Sequence, residues 1–127
     1  MILLDTSVLV EHFRKKDKTK TFFYRLASNH DAFAISAIIH YEILSGSNDL
    51  QDAFWDELFK SLTILPFDIA CSTEAAKIYK ALKAKNALID LADLAIAATA
   101  VANNLPVATF NTKHFSRVDG LNLITQP

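Results

Sequence analysis

Short apolar runs closed by polar clusters alternate along this chain with longer stretches of helical period. Ile2-Leu-Leu4 runs into Asp5-Thr-Ser7, and Ala32-Phe-Ala-Ile35 runs into Ser36. Thr63 to Phe67, Leu105 to Thr109 and Leu121 to Thr125 are three further extended segments. Runs this short and apolar, bounded by polar breakers, predict buried strands. Between them, Thr6 or Ser7 is placed to cap a helix opened by Val8-Leu-Val10, which frays into Arg14 to Lys20. A second helix is expected over Thr21 to Ser28, and a third follows an N-cap at Ser36 and stops at Gly46. Its Glu42 shares a face with Ile38 and Ile39 and is expected to point partly inward.

Asn48-Asp49 opens the next helix, with Trp55, Leu58, Phe59 and Leu62 at i, i+3, i+4 and i+7. Ser72 to Lys85 is amphipathic, with Ala76, Tyr79 and Leu82 on one side. Ala87 to Ala102 is apolar on nearly every side, which predicts a helix buried on most faces. Asn111 to Phe115 reads as a short turn or helix. Strands alternating with helices imply βαβ units, a mainly parallel sheet and ligands at the carboxyl ends of the strands. The expected fold is α/β, in a single domain over residues 1–127.

Composition narrows the function classes. With 127 residues, 51% of them hydrophobic, the chain is long enough for a packed core and too apolar for disorder. A net charge of -1 supplies no bulk basic field, so a nucleic-acid partner must be met by local patches or through a metal. The basic run from Arg14 to Lys20 holds five of the thirteen cations and reads as a solvated helix end, with RNA steering as its second reading. The one cysteine, Cys71, excludes an internal disulfide and reads as a small core residue. No stretch approaches the roughly 20 uncharged apolar residues of a membrane span, and a cytoplasmic location is expected.

Candidate chemistry rests on carboxylates. Asp93 lies within the most apolar helix, where an isolated charge is costly unless paired, hydrogen-bonded or metal-bound. Asp5 lies at the carboxyl end of the first strand, and neither has a basic neighbour in sequence. Glu42, Asp90 and Asn111 are brought toward the same end by the predicted topology. Clustered carboxylates repel, and hard oxygen-preferring ions such as Mg²⁺ or Mn²⁺ relieve that repulsion. Bland readings stand beside these. Asp5, Asp90 or Asp93 can cap a helix, the last with Ala87 to Asp90 as a loop before it. Glu42 and Asp90 can be solvated, and Asn111 can form an Asx turn. The four histidines share no ligand-like spacing, and His114 is at most a rim residue.

Four motifs in order carry a resemblance. Leu4-Asp-Thr-Ser7, Ser36 with Glu42 and Gly46, Ile89 with Asp93-x-x-Ile96-Ala-Ala98, and Thr109-x-Asn111 with Phe115 together resemble a PIN-domain ribonuclease, most closely a VapC-type toxin. The resemblance implies a three-layer α/β/α sandwich and Mg²⁺- or Mn²⁺-dependent RNA cleavage. It also implies a VapB-type antitoxin whose tail enters the acidic pocket, and a homodimer or toxin–antitoxin hetero-oligomer. It makes Asp5 and Asp93 the principal metal ligands and Glu42 the third acid. Asp90 becomes an extra ligand, with Ser7 and Thr109 as supporting hydroxyls. Many relatives carry aspartate where this chain has Asn111, which leaves a second reading open: a catalytically weak PIN-like module kept for RNA or partner binding. A phosphoaspartyl enzyme fits poorly, because Ser7 stands where its second aspartate belongs.

Overall fold

Helical connections, rather than hairpins, join the apolar runs, so the runs pair as parallel neighbours. The computed structural model describes residues 1–126. Among them β1 (Ile2–Leu4), β2 (Phe33–Ser36), β3 (Thr63–Leu65), β4 (Val107–Ala108) and β5 (Leu123–Ile124) form one sheet of order β3-β2-β1-β4-β5, parallel throughout. Leu3 pairs with Ala34 on one side and Val107 on the other. These central strands are buried on both faces, as their unbroken apolar sequence requires.

Between β1 and β2 come α1 (Thr6–Arg14) and α2 (Phe22–Ala27), and between β2 and β3 come α3 (Ala37–Gly46) and α4 (Asp49–Phe59). The return to β4 is made by α5 (Ile69–Ala84) and α6 (Leu91–Ala102), and α7 (Thr112–Phe115) leads to β5. The order moves outward from β1 to β3 and then jumps back across β1. Right-handed crossovers therefore place α5 and α6 on the face opposite α1. Phe13 of α1 meets Phe54 and Trp55 of α4 at centroid distances of 5.1 and 5.2 Å, which ties the first helical layer together. The second layer is α5 against α6, and the expected three-layer α/β/α sandwich is the observed one. The reversal of strand order falls between β1 and β4, where open parallel sheets place their ligands.

Several local expectations are corrected. The cap of α1 is Asp5, one residue before Thr6 and Ser7, with its carboxylate accepting the Thr6 N–H at 2.8 Å. Helix α5 starts at Ile69 behind an Asp68 cap, and its inner face is Cys71, Ala75, Ile78 and Leu82, while Ala76 and Tyr79 face solvent. Helix α6 starts at Leu91, so Asp93 lies in its first turn rather than mid-helix. From Leu94 to Ala100 every residue is buried, and four alanines in that run let α6 approach its neighbours closely. Glu42 is exposed rather than inward, because Ile39 and Ile43 take the inner face of α3.

The basic run is partly consumed by the fold. Lys18 donates to the carbonyls of Phe13 and Lys15, both at 2.7 Å, closing the end of α1, and Lys15 pairs with Glu11 at 3.2 Å. Among the described residues no helix is long and apolar enough to cross a membrane.

Candidate functional site

Asp5 leaves β1 in extended conformation and turns into α1, so one carboxylate serves both a helix end and the mouth of the sheet. It is 4% exposed. One oxygen takes the Thr6 N–H; the other accepts the hydroxyls of Ser7 and Thr109, each at 2.8 Å. Thr109 follows β4, so this last bond spans the reversal point of the sheet. The network continues outward: the Thr109 hydroxyl accepts the Asn111 N–H at 2.8 Å, and the Ser7 hydroxyl accepts the Phe110 N–H at 3.1 Å. A carboxylate with about four acceptor positions keeps one to spare beyond these three donors. No lysine, arginine or histidine pairs with Asp5 among the described residues.

Asp93 is delivered by α6. Asp90 caps that helix by accepting the Asp93 N–H at 2.8 Å, which sets the aspartate on the first turn, facing β4. Its Oδ2 lies 3.0 Å from His114 Nδ1 and 3.4 Å from the Asn111 side-chain Nδ2, which donates to it. Asn111 Nδ2 is also 3.0 Å from His114 Nδ1. One ring nitrogen cannot both donate to Asp93 and accept from Asn111. The charge-assisted bond to the carboxylate is the stronger of the two, which favours a proton on Nδ1. His114 thus belongs to the site, although its spacing gave it only a rim role. Its signal in sequence was the three-residue offset from Asn111, which puts both on one side of a short helix.

The acids repel one another. Burial pushes the Asp93 carboxyl above its ordinary range, and Asp90 and Asp5 add to that rise while the His114 hydrogen bond opposes it. Glu42 is raised as well, first by partial loss of water on its inner side and then by the charges of Asp90, Asp93 and Asp5. Four carboxylates from β1, α3 and α6 therefore share one field. Two of them, Asp5 and Asp93, are linked through Thr109 and Asn111, while Glu42 and Asp90 stand at the rim. Among the described residues no three acids, histidines or cysteines close into a ready-made metal cage. Asp5 is held instead by a backbone amide and two hydroxyls, and Asp93 by a side-chain amide and an imidazole. From Thr6 and Glu42 a groove of about 390 Å³ runs between α1, α3 and α4, with Phe13 and Trp55 in its wall and Arg14 beside it.

A family model described as PIN domain matches residues 2–121. Ribonuclease VapC of Rickettsia bellii is 36% identical over 134 residues, covering 99% of this chain and 96% of that protein. Ribonuclease VapC1 of Methanocaldococcus jannaschii is 37% identical over 123 residues, covering 96% and 84%. Among solved structures, VapBC2 from Rickettsia felis bound to a DNA fragment from its promoter is similar with a TM-score of 0.86 and 29% identity, over the full length of both chains. FitAcB from Neisseria gonorrhoeae is similar with a TM-score of 0.83 and 30% identity, covering 98% and 96%.

Proposed function

This chain belongs to the PIN-domain family, and from that premise we propose that it is a VapC-type ribonuclease, the toxin of a toxin–antitoxin pair, restrained by a VapB-type partner. The observation that carries this reading is the link of Asp5 to Asp93 through Thr109 and Asn111 at the sheet's reversal point, inside a field that raises both Asp93 and Glu42. The acids offer only oxygen and their mutual repulsion is opposed only at Asp93, by His114, which is the chemistry that a hard divalent ion such as Mg²⁺ or Mn²⁺ fits. Asp5 and Asp93 would hold the ion, with Glu42 and Asp90 at its edge. Bound there, the ion would polarise a phosphoryl oxygen and acidify a water.

The remaining work falls to the chain's own groups. Three donors fix the Asp5 carboxylate, so it needs no reorganisation as charge develops on the substrate. His114 and Asn111 orient Asp93 in the same way. Glu42, exposed and held above the usual carboxylate range, is suited to accept a proton from an attacking water. RNA incubated with purified protein and Mn²⁺ should be cleaved, and EDTA should stop it. Co-expression of the cognate antitoxin should restore the growth of cells that the protein arrests. Undiminished cleavage in EDTA would remove the metal from this reading.

Asn111 distinguishes an active site from a degraded one. Its amide donates to Asp93, so it already serves the acid it stands beside. In Asn111→Asp a further carboxylate falls next to Asp93, and the metal-free protein should melt lower. Calorimetry should show Mn²⁺ bound about tenfold more tightly, the scale of changes around a metal's ligands, with cleavage little altered. A gain in cleavage of about a hundredfold would mark the natural site as weakened and kept for binding.

A further inference from the structure

Behind the acidic centre, a recess of about 290 Å³ opens between α2 and the end of β5. Its floor is apolar, made by Phe22 and Leu26 of α2 with Ile124 of β5. Arg25, Asn29 and Thr125 stand on its exposed rim. Among the described residues no carboxylate lines it, whereas the groove beside α1 carries Glu42 and a smaller recess on α5 carries Glu74 and Asp119. Among the described residues Arg25 is in no ion pair. A guanidinium, a side-chain amide and a hydroxyl over an apolar floor suit an anion that carries a flat ring.

Phe110 connects this recess to the acids. Its ring packs on Phe22 with centroids 5.4 Å apart at 64°, and it remains 39% exposed. Its backbone is held by Ser7, and its neighbours Thr109 and Asn111 bond to Asp5 and Asp93. An exposed aromatic ring is thus fixed at the rim of the site, between the acids and a recess that no carboxylate of the described residues lines. The need for such a feature follows from charge: a chain of net charge -1 with an acidic centre repels RNA unless stacking and a local cation offset that repulsion.

Resting on the ribonuclease reading above, we propose that Phe110 and the Arg25 recess form a subsite for the RNA nucleotide flanking the cleaved phosphate. The base stacks on Phe110, the next phosphate meets Arg25, and Asn29 and Thr125 face the base edge or ribose. The ring makes the subsite tolerant of sequence, since every base has a stacking face.

Anisotropy of a fluorescein-labelled single-stranded oligoribonucleotide, in EDTA so that no cleavage occurs, tests this. Phe110→Leu keeps the packing on Phe22 and removes the stacking ring; Arg25→Gln alters an exposed side chain. Each should weaken binding about tenfold. Arg25→Gln should also lower the slope of log affinity against log salt by about 0.7, the value for one phosphate contact on a single strand. Lys60→Gln, which removes an exposed cation at the end of α4, should change neither. Binding by both variants that matches wild type or Lys60→Gln would overturn the subsite, as would the absence of saturable binding by wild type. If Arg25- and Phe110-dependent binding survives while Mn²⁺ supports no cleavage, the subsite stands and the nuclease reading falls. Cleavage by wild type with binding indifferent to both residues does the reverse.

Discussion

Asp5→Ala is expected to abolish RNA cleavage, a loss of about a hundredfold or more, the scale on which removal of one preorganised electrostatic group acts. The same substitution strips α1 of its N-cap and leaves the Ser7 and Thr109 hydroxyls without their acceptor. Losing the cap alone costs about 0.5–2 kcal/mol, and buried hydroxyls left unpaired add to that. A dead Asp5→Ala protein would therefore confound chemistry with stability. Asp5→Asn separates them. Asparagine caps helices as well as aspartate does and keeps an oxygen for the Thr6 N–H, but its NH2 replaces the acceptor of the Ser7 and Thr109 hydroxyls, so the melting temperature should fall, though less than in Asp5→Ala. The charge is gone, however, and cleavage should fall as far as in Asp5→Ala. Cleavage within about threefold of wild type in a folded Asp5→Asn protein would mean that Asp5 is a cap and nothing more.

Asp93→Asn should give the opposite pairing of effects: a dead enzyme that is more stable without metal. Burial and the charges of Asp90 and Asp5 hold the Asp93 pKa above its ordinary 3.8 in the folded protein. An acid raised in this way weakens the fold wherever it is ionised, and the penalty is lifted as the pH falls through the raised value. At pH 7 in EDTA, Asp93→Asn should melt higher than wild type. The gap should close as the pH falls through the raised pKa toward 3.8, where wild type becomes protonated in both states. Added Mn²⁺ should reverse the order. Wild type gains about 2.7 kcal/mol at a hundredfold excess over the dissociation constant, and the variant gains little. Scanning calorimetry with and without Mn²⁺ reads both halves. A lower melting temperature for Asp93→Asn in EDTA would mean that the His114 and Asn111 bonds outweigh the repulsion. An equal rise with Mn²⁺ in both proteins would take Asp93 out of the metal site.

These two acids differ in how far their roles could be read from the chain. Asp5 follows three apolar residues and precedes a helix, so cap and site were both legible; the cap is present in the geometry, and the site role is what Asp5→Asn tests. Asp93 was legible as an expensive charge in an apolar helix, but the run of alanines and leucines hid where that helix begins. The answer lay in Asp90, whose carboxylate caps the helix and brings Asp93 into its first turn. Glu42 was misjudged for a related reason. Helical periodicity puts it beside Ile38 and Ile39, yet the adjacent Ile39 and Ile43 meet the core and turn it outward. His114 carried only its three-residue offset from Asn111, a signal that gained meaning when both met Asp93 of α6 in space.

What the chain determined alone is the set of strands and helices, their parallel arrangement and the family motifs, because periodicity and polar punctuation are local and each run is long enough to declare itself. What only the tertiary structure decided is who holds whom. The bond from Thr109 to Asp5 joins residues 104 positions apart, and the one from His114 to Asp93 joins two separate helices. Such contacts depend on crossover handedness and on the close approach of an alanine-rich helix, sums over many packing interactions that no single segment encodes.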